Sequence, residues 1–171
     1  MVRDVGTIRF DLEVEFRAPR RIRHGVPPLN ARGRIVPRLD GVRFTDLVDR
    51  FEQQAGMEPA GEAYGGIVPA LLRFDGGSAD RHFLGHEPRT RVLACRCGEW
   101  ADWPLILTIT TTDTTVNWSD AEQPFRPARD YTAFGPFRFP RPAYDRALAD
   151  LSAALAATVA FDRETRAALR R

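Results

Sequence analysis

The chain has 171 residues, long enough to bury one full hydrophobic core without metal or disulfide staples. Its 25 basic residues are all arginine, and against 23 acidic ones they leave a net charge of +2, too little to argue for nucleic acid on its own. No apolar run approaches the roughly 20 residues of a membrane helix, no signal-peptide core opens the chain, and two cysteines separated by one residue are not a secreted disulfide framework. The expectation is therefore a cytoplasmic protein with no membrane partner, folded as a single domain over residues 1–171.

Thr7 to Phe16 alternates, with Ile8, Phe10, Leu12, Val14 and Phe16 on one face and Arg9, Asp11, Glu13 and Glu15 on the other. Period two over this length predicts a half-buried strand. Residues 17–38 then carry seven arginines (Arg17, Arg20, Arg21, Arg23, Arg32, Arg34 and Arg38) and no acid. Pro19, Gly25, Pro27, Pro28 and Gly33 mark much of this run as solvated loop. Weak binding of an anion or nucleic acid is the alternative, although no aromatic is interleaved to stack on bases.

Gly33–Leu39 and Val42–Phe44 read as strands around Asp40-Gly41, a pair suited to the positive φ angles of a tight hairpin. Thr45 is placed to cap a helix through Ala55, with Leu47, Val48, Phe51 and Ala55 at helical spacing and Gly56 to stop it. From Met57 to Glu87 the glycines at 61, 65, 66, 76 and 77 break the pattern, leaving a short helix opened by Pro69 over Ile67–Phe74. Residues 92–97, 105–112 and 115–118 predict an antiparallel meander turning at Asp113-Thr114. Ser119–Gly135 reads as a long loop and 136–139 as a short strand. Pro142 opens a helix over 142–158, with Tyr144, Leu148, Leu151 and Leu155 as its apolar stripe. A frayed helical tail follows at 160–171. The fold class is α+β: an antiparallel sheet, strands near 7–16, 33–39, 92–97, 105–112, 115–118 and 136–139, with helices packed on one face.

Chemistry-bearing residues are sparse. No serine sits in a nucleophile elbow, and there is no phosphate-binding glycine loop and no zinc-protease helix motif. Cys95 and Cys97, two apart on a predicted strand, face the same side. A zinc set with His82 and His86 can be drawn, but Gly85 interrupts the helix those histidines need, and the reading preferred for the thiols is that of small buried hydrophobes. Trp118–Phe137 gathers aromatic residues and arginines of the kind found at interface hot spots. Trp103, Trp118, Gln123, Phe125, Arg126, Arg129 and Tyr131 are the binding residues this suggests, with another protein as partner. The function expected is thus non-enzymatic binding, with no catalytic residue and no cofactor. A thiol- or metal-dependent enzyme centred on Cys95 and Cys97 is the alternative.

C-R-C-G-E-W-A-D-W-P-L, then V-N-W-S-D-A-E-Q-P-F-R-P, then Y-T-A-F-G-P-F-R-F and a tyrosine-containing helix resembles a family of small uncharacterised bacterial proteins. The weaker L-D-G-V-R-F-T-D-L-V and G-E-A-Y-G-G-I extend the match over about residues 35–155. Asp102 stands where members carry a third cysteine, and Phe125 where they often carry histidine. Were the family's cysteines metal or redox groups, this replacement would be expected to cripple the site. The resemblance implies no activity, ligand or catalytic residue.

Overall fold

The computed structural model describes residues 1–14, 33–69, 72, 78–87, 89–97 and 101–168, with side chains described to residue 159 apart from that of residue 14. Most of the arginine-rich run, the greater part of the helix expected at 67–74, and the side chains of the tail lie outside these residues. Nine strands and three helices follow in chain order among them: β1 Arg3–Asp4, β2 Ile8–Val14, β3 Gly33–Leu39, β4 Val42–Arg43, α1 Phe44–Gln54, β5 Tyr64–Gly65, α2 Ala79–Phe83, β6 Thr90–Cys95, β7 Leu105–Thr111, β8 Thr115–Glu122, β9 Phe137–Pro140 and α3 Arg141–Ala168.

The α+β class holds, but the strands divide into two sheets. One has six strands in the order β1-β9-β8-β7-β6-β5, antiparallel throughout except for the β1–β9 edge. The alternating strand β2 joins β3 and β4 in a separate three-stranded sheet instead. Its alternation explains why: Ile8 and Phe10 turn inward while Arg9 is exposed, so one face is free to press on other elements. Asp40 and Gly41 take φ 48° and 81°, the geometry the β3–β4 turn requires.

The two sheets meet at Ile35 and Ile67, which exchange backbone hydrogen bonds of 2.8 and 3.0 Å. Gly66 makes this approach feasible, since a Cβ there would fall 2.5 Å from the Ile35 carbonyl oxygen. Gly66, which looks like loop punctuation in the sequence, is thus part of a sheet junction.

The core gathers around Trp118 on β8, which has 0% exposure. Its ring lies 5.1 Å from Phe139, 5.4 Å from Phe44, 6.2 Å from Tyr144 and 6.5 Å from Phe10, so it draws together both sheets, α1 and α3. Trp118 Nε1 donates to Tyr144 Oη (3.1 Å), which donates in turn to the Phe83 carbonyl (2.7 Å), tying α2 into the same centre. Strand β8 runs past the expected end at Trp118 to Glu122, so the long loop starts later than its polar composition suggests. Helix α1 begins at Phe44 rather than at a threonine cap. Arg43 is the cap residue and makes no side-chain capping bond, and Thr45 lies buried inside the first turn because Phe44 is drawn into the core.

Tyr144→Phe keeps the ring but removes the hydroxyl, leaving a buried indole N–H and a buried carbonyl without their partner. The expected loss is about 1–3 kcal/mol of unfolding free energy in urea. An unchanged midpoint would show that the two bonds do not hold α2 and α3 to β8.

Candidate metal and thiol centre

Cys95 is the last residue of β6 and pairs with Tyr64 on β5. Two bonds hold this strand end: Arg96 N–H donates to the Ala63 carbonyl (2.9 Å), and the buried Arg34 donates through Nη1 to the Cys95 carbonyl (3.1 Å). Arg34 reaches it past Gly65, where a Cβ would stand only 2.7 Å from Nη1. Beyond Cys95 the chain turns, so Cys97 is exposed rather than strand-borne, and its N–H donates back to Cys95 Sγ at 3.1 Å. The two sulfurs are joined as a disulfide with Cα atoms 5.1 Å apart.

The chain returns through Asp102, whose Oδ2 stands 3.5 Å from Cys95 Sγ and 3.6 Å from Cys97 Sγ. Cys95, Cys97 and Asp102 therefore bring three ligating atoms within 4.8 Å of one another. The expectation that the protein is not an enzyme is overturned by this cluster, which has the make-up of a ligand set. Two sulfurs and a carboxylate oxygen at such spacing have the capacity for metal or thiol chemistry.

The histidines take no part. Among the described residues the cluster contains neither His82 nor His86. His82 is buried with Nε2 at 2.7 Å from the Arg91 carbonyl. His86 leaves the helical face because α2 ends at Phe83 and Gly85 takes φ +72°.

The binding residues read from the sequence separate into three environments. Trp118 is wholly buried in the core. Phe125, at 58% exposure, stands out into solvent, and Gln123 is buried with its side-chain carbonyl accepting the Phe125 N–H at 2.8 Å. Trp103, Arg126 and Arg129 form a stack next to Asp102, and Arg129 Nε donates to Tyr131 Oη at 3.3 Å. The Arg126 guanidinium lies 3.4 Å from the Trp103 ring centroid, that of Arg129 lies at 5.3 Å, and Arg126 Nη1 donates to the Asp102 carbonyl at 2.9 Å.

Beneath this stack is a buried polar network that the sequence reading did not isolate. Glu52 on α1 has 0% side-chain exposure, and Oε1 lies 2.7 Å from Arg129 Nη2, itself on a side chain only 7% exposed. Tyr131 Oη donates to Glu52 Oε1, Gly61 N–H donates to Oε2 (2.8 Å), and the Tyr64 and Tyr131 hydroxyls are 2.9 Å apart. Arg129 Nη1 also donates to the Pro59 carbonyl at 2.9 Å. Burial, followed by the bond to Glu52, pushes the Tyr131 phenol up to about 12. Burial raises Tyr64 and Tyr144 further still. Burial also disfavours the Arg129 charge, but its bonds to Tyr131 and Glu52 outweigh that and leave its pKa raised. A signal for Glu52 did exist: a stripe counted from Phe44 runs Phe44, Leu47, Val48, Phe51, Glu52.

Of the arginine-rich run, the described members are built into the fold. Arg34 holds the Cys95 strand end, and Arg38 pairs across β2 with Asp11 and with Glu13 (3.4 Å). Among the described residues no helix is long and apolar enough to cross a membrane. No protein-family model, no curated protein and no solved structure matches the chain.

Glu52→Ala leaves the Arg129 cation buried without its carboxylate, which should cost about 3–5 kcal/mol in urea unfolding. A loss below about 1 kcal/mol would mean that water or relaxation satisfies Arg129. The phenols give a second check. Each of the three tyrosines is raised in the folded state, so the neutral form is favoured there. The stability this supplies is complete below about pH 10 and is lost as pH climbs toward the folded values. Phenolate absorbance should stay silent through about pH 10 and then appear together with cooperative alkaline unfolding. Ordinary titration of one tyrosine near pH 10 in the folded chain would contradict the burial of that hydroxyl.

Proposed function

We propose that this is a thiol- and metal-dependent protein whose centre is Cys95, Cys97 and Asp102, binding a zinc-class divalent cation in its dithiol form. The convergence of three ligand atoms within 4.8 Å supports the reading above all else. Two thiolates and a carboxylate that close repel one another by several kcal/mol, of the order of 4 kcal/mol per pair at an intermediate dielectric, and a divalent cation turns that repulsion into attraction. Sulfur donors favour zinc and other thiophilic metals. Calcium and magnesium instead seek six or more oxygens. The Cys97 N–H directed at Cys95 Sγ suits a metal-bound sulfur, and Arg126 steadies the Asp102 turn from outside the ligand set.

Three protein ligands leave one coordination position for water or substrate, as in catalytic rather than closed structural zinc sites. A cation held by Cys95, Cys97 and Asp102 would supply Lewis acidity, and the reaction class this favours is metal-assisted hydrolysis. The chain's resemblance to the family of small bacterial proteins fits the same proposal. If the third cysteine of that family were a metal ligand, Asp102 would put a carboxylate donor in its place, and a carboxylate is itself able to ligate zinc. The stack of Trp103, Arg126 and Arg129 then serves to position Asp102.

Reduced protein should take up one equivalent of Co²⁺ with the intense near-ultraviolet band of sulfur-to-metal charge transfer, and Zn²⁺ should displace it. Cys95→Ser and Cys97→Ser should abolish that band. Arg126→Ala, outside the ligand set, should weaken zinc by about 10–100-fold. Equal affinity in the double-serine variant, or a cobalt spectrum without sulfur character, would refute the proposal.

A further inference from the structure

The two sulfurs of the centre are bonded to each other, and a pair in that state cannot also ligate a cation through two thiolates. We infer that the Cys95–Cys97 pair is a redox gate on this site: a hydroperoxide oxidises the dithiol to the disulfide and expels the metal. The inference rests on the metal reading above and adds what controls occupancy.

Three observations carry it. The first is the size of the ring. The cysteines are two apart in sequence, and stabilisation through the unfolded chain grows with the loop enclosed, so a ring this small contributes little as a staple. Its consequence must be chemical. The second is reach. A Cα separation of 5.1 Å lies inside the normal span of a disulfide, and both sulfurs are already beside Asp102 Oδ2. Dithiol and disulfide can therefore share one backbone. The third is access. Cys97 is exposed in the turn while Cys95 is buried at the strand end, which separates their roles.

Cys97 thiolate attacks one oxygen of the hydroperoxide. The O–O bond breaks, the alcohol leaves with one proton, and Cys97 becomes a sulfenic acid. Cys95 thiolate then attacks the Cys97 sulfur, the S–S bond forms, and the hydroxyl leaves with a second proton as water. Two electrons pass from sulfur to oxygen: two thiolates, ROOH and two protons become one disulfide, ROH and H₂O. Two of the three ligands and two of the three negative charges vanish together. Asp102 alone is a poor zinc site, so the cation departs. A thiol reductant returns both electrons and restores the ligand set.

The full chain, reduced and loaded with Zn²⁺, is titrated with hydrogen peroxide while a chromophoric chelator reads free zinc and intact mass reads sulfur chemistry. Zinc should appear in step with loss of the mass of two hydrogens, and dithiothreitol with added zinc should reverse both. In Cys95→Ser the oxidation should stop at a sulfenic acid on Cys97 that dimedone traps. A chain that loads zinc but keeps it after stoichiometric peroxide would overturn the gate alone. So would one that releases zinc while only gaining oxygen atoms. A reduced chain that never loads zinc would overturn the metal reading and the gate with it.

Discussion

A carboxylate with no exposure to water, Glu52, sets the terms for one end of this molecule. Left alone, a buried charge of that kind costs several kcal/mol, so its surroundings must neutralise it and fill its lone pairs. Arg129 supplies the opposite charge, Tyr131 and the Gly61 N–H supply donors, and Tyr64 extends the chain of hydroxyls. With Glu52 itself on α1, the network joins four separate parts of the chain: α1, the turn after it, β5 and the segment between β8 and β9. Once Glu52 is satisfied, those four parts are fixed relative to one another.

The thiol centre is suspended from that arrangement. Tyr64 stands opposite Cys95 in the ladder, so the strand carrying the first thiol is registered against the network. Arg129 and Arg126 both face the Trp103 ring, and Arg126 also grips the Asp102 carbonyl, so the turn carrying the carboxylate is registered against the same network from the other side. Trp103 closes the circuit, 6.4 Å from Tyr64 and edge-on to it. A surface turn is ordinarily free to wander. Here Asp102 and Trp103 are held on two sides, as the proposed three-ligand site would require.

Parts of this were legible in the amino-acid order because they rest on local periodicity. The alternation of Ile8 to Leu12, the Asp40-Gly41 turn, the span of β3 and the stripe Tyr144, Leu148, Leu151 each follow from two or four residues' reach along the chain. The partition into two sheets was not legible, because Ile35 and Ile67 are far apart in sequence and the glycine that lets them meet resembles a loop residue. Asp102 was visible as a residue but not as a ligand. Nothing in C-R-C-G-E-W-A-D says that the chain folds back to set its carboxylate against both sulfurs. The composition of the aromatic and arginine loop suggests a contact surface. Tyr131 and Arg129 point inward, however, and composition carries no direction.

Aspartate at position 102 also changes what the cluster can be. A third cysteine there would make the three positions chemically equivalent, and oxidation could pair any two of them. With a carboxylate, only one disulfide is available within the set, and the ligand left behind is a hard oxygen that holds thiophilic metals weakly when alone. A cation held by this set would have fewer sulfur ligands than one held by three cysteines, and would be a stronger Lewis acid for it. A site of two thiols and one carboxylate is therefore better suited to exchange and reaction than to permanent structural zinc. That fits a fold whose stability rests on Trp118 and Glu52 and places no burden on the thiols.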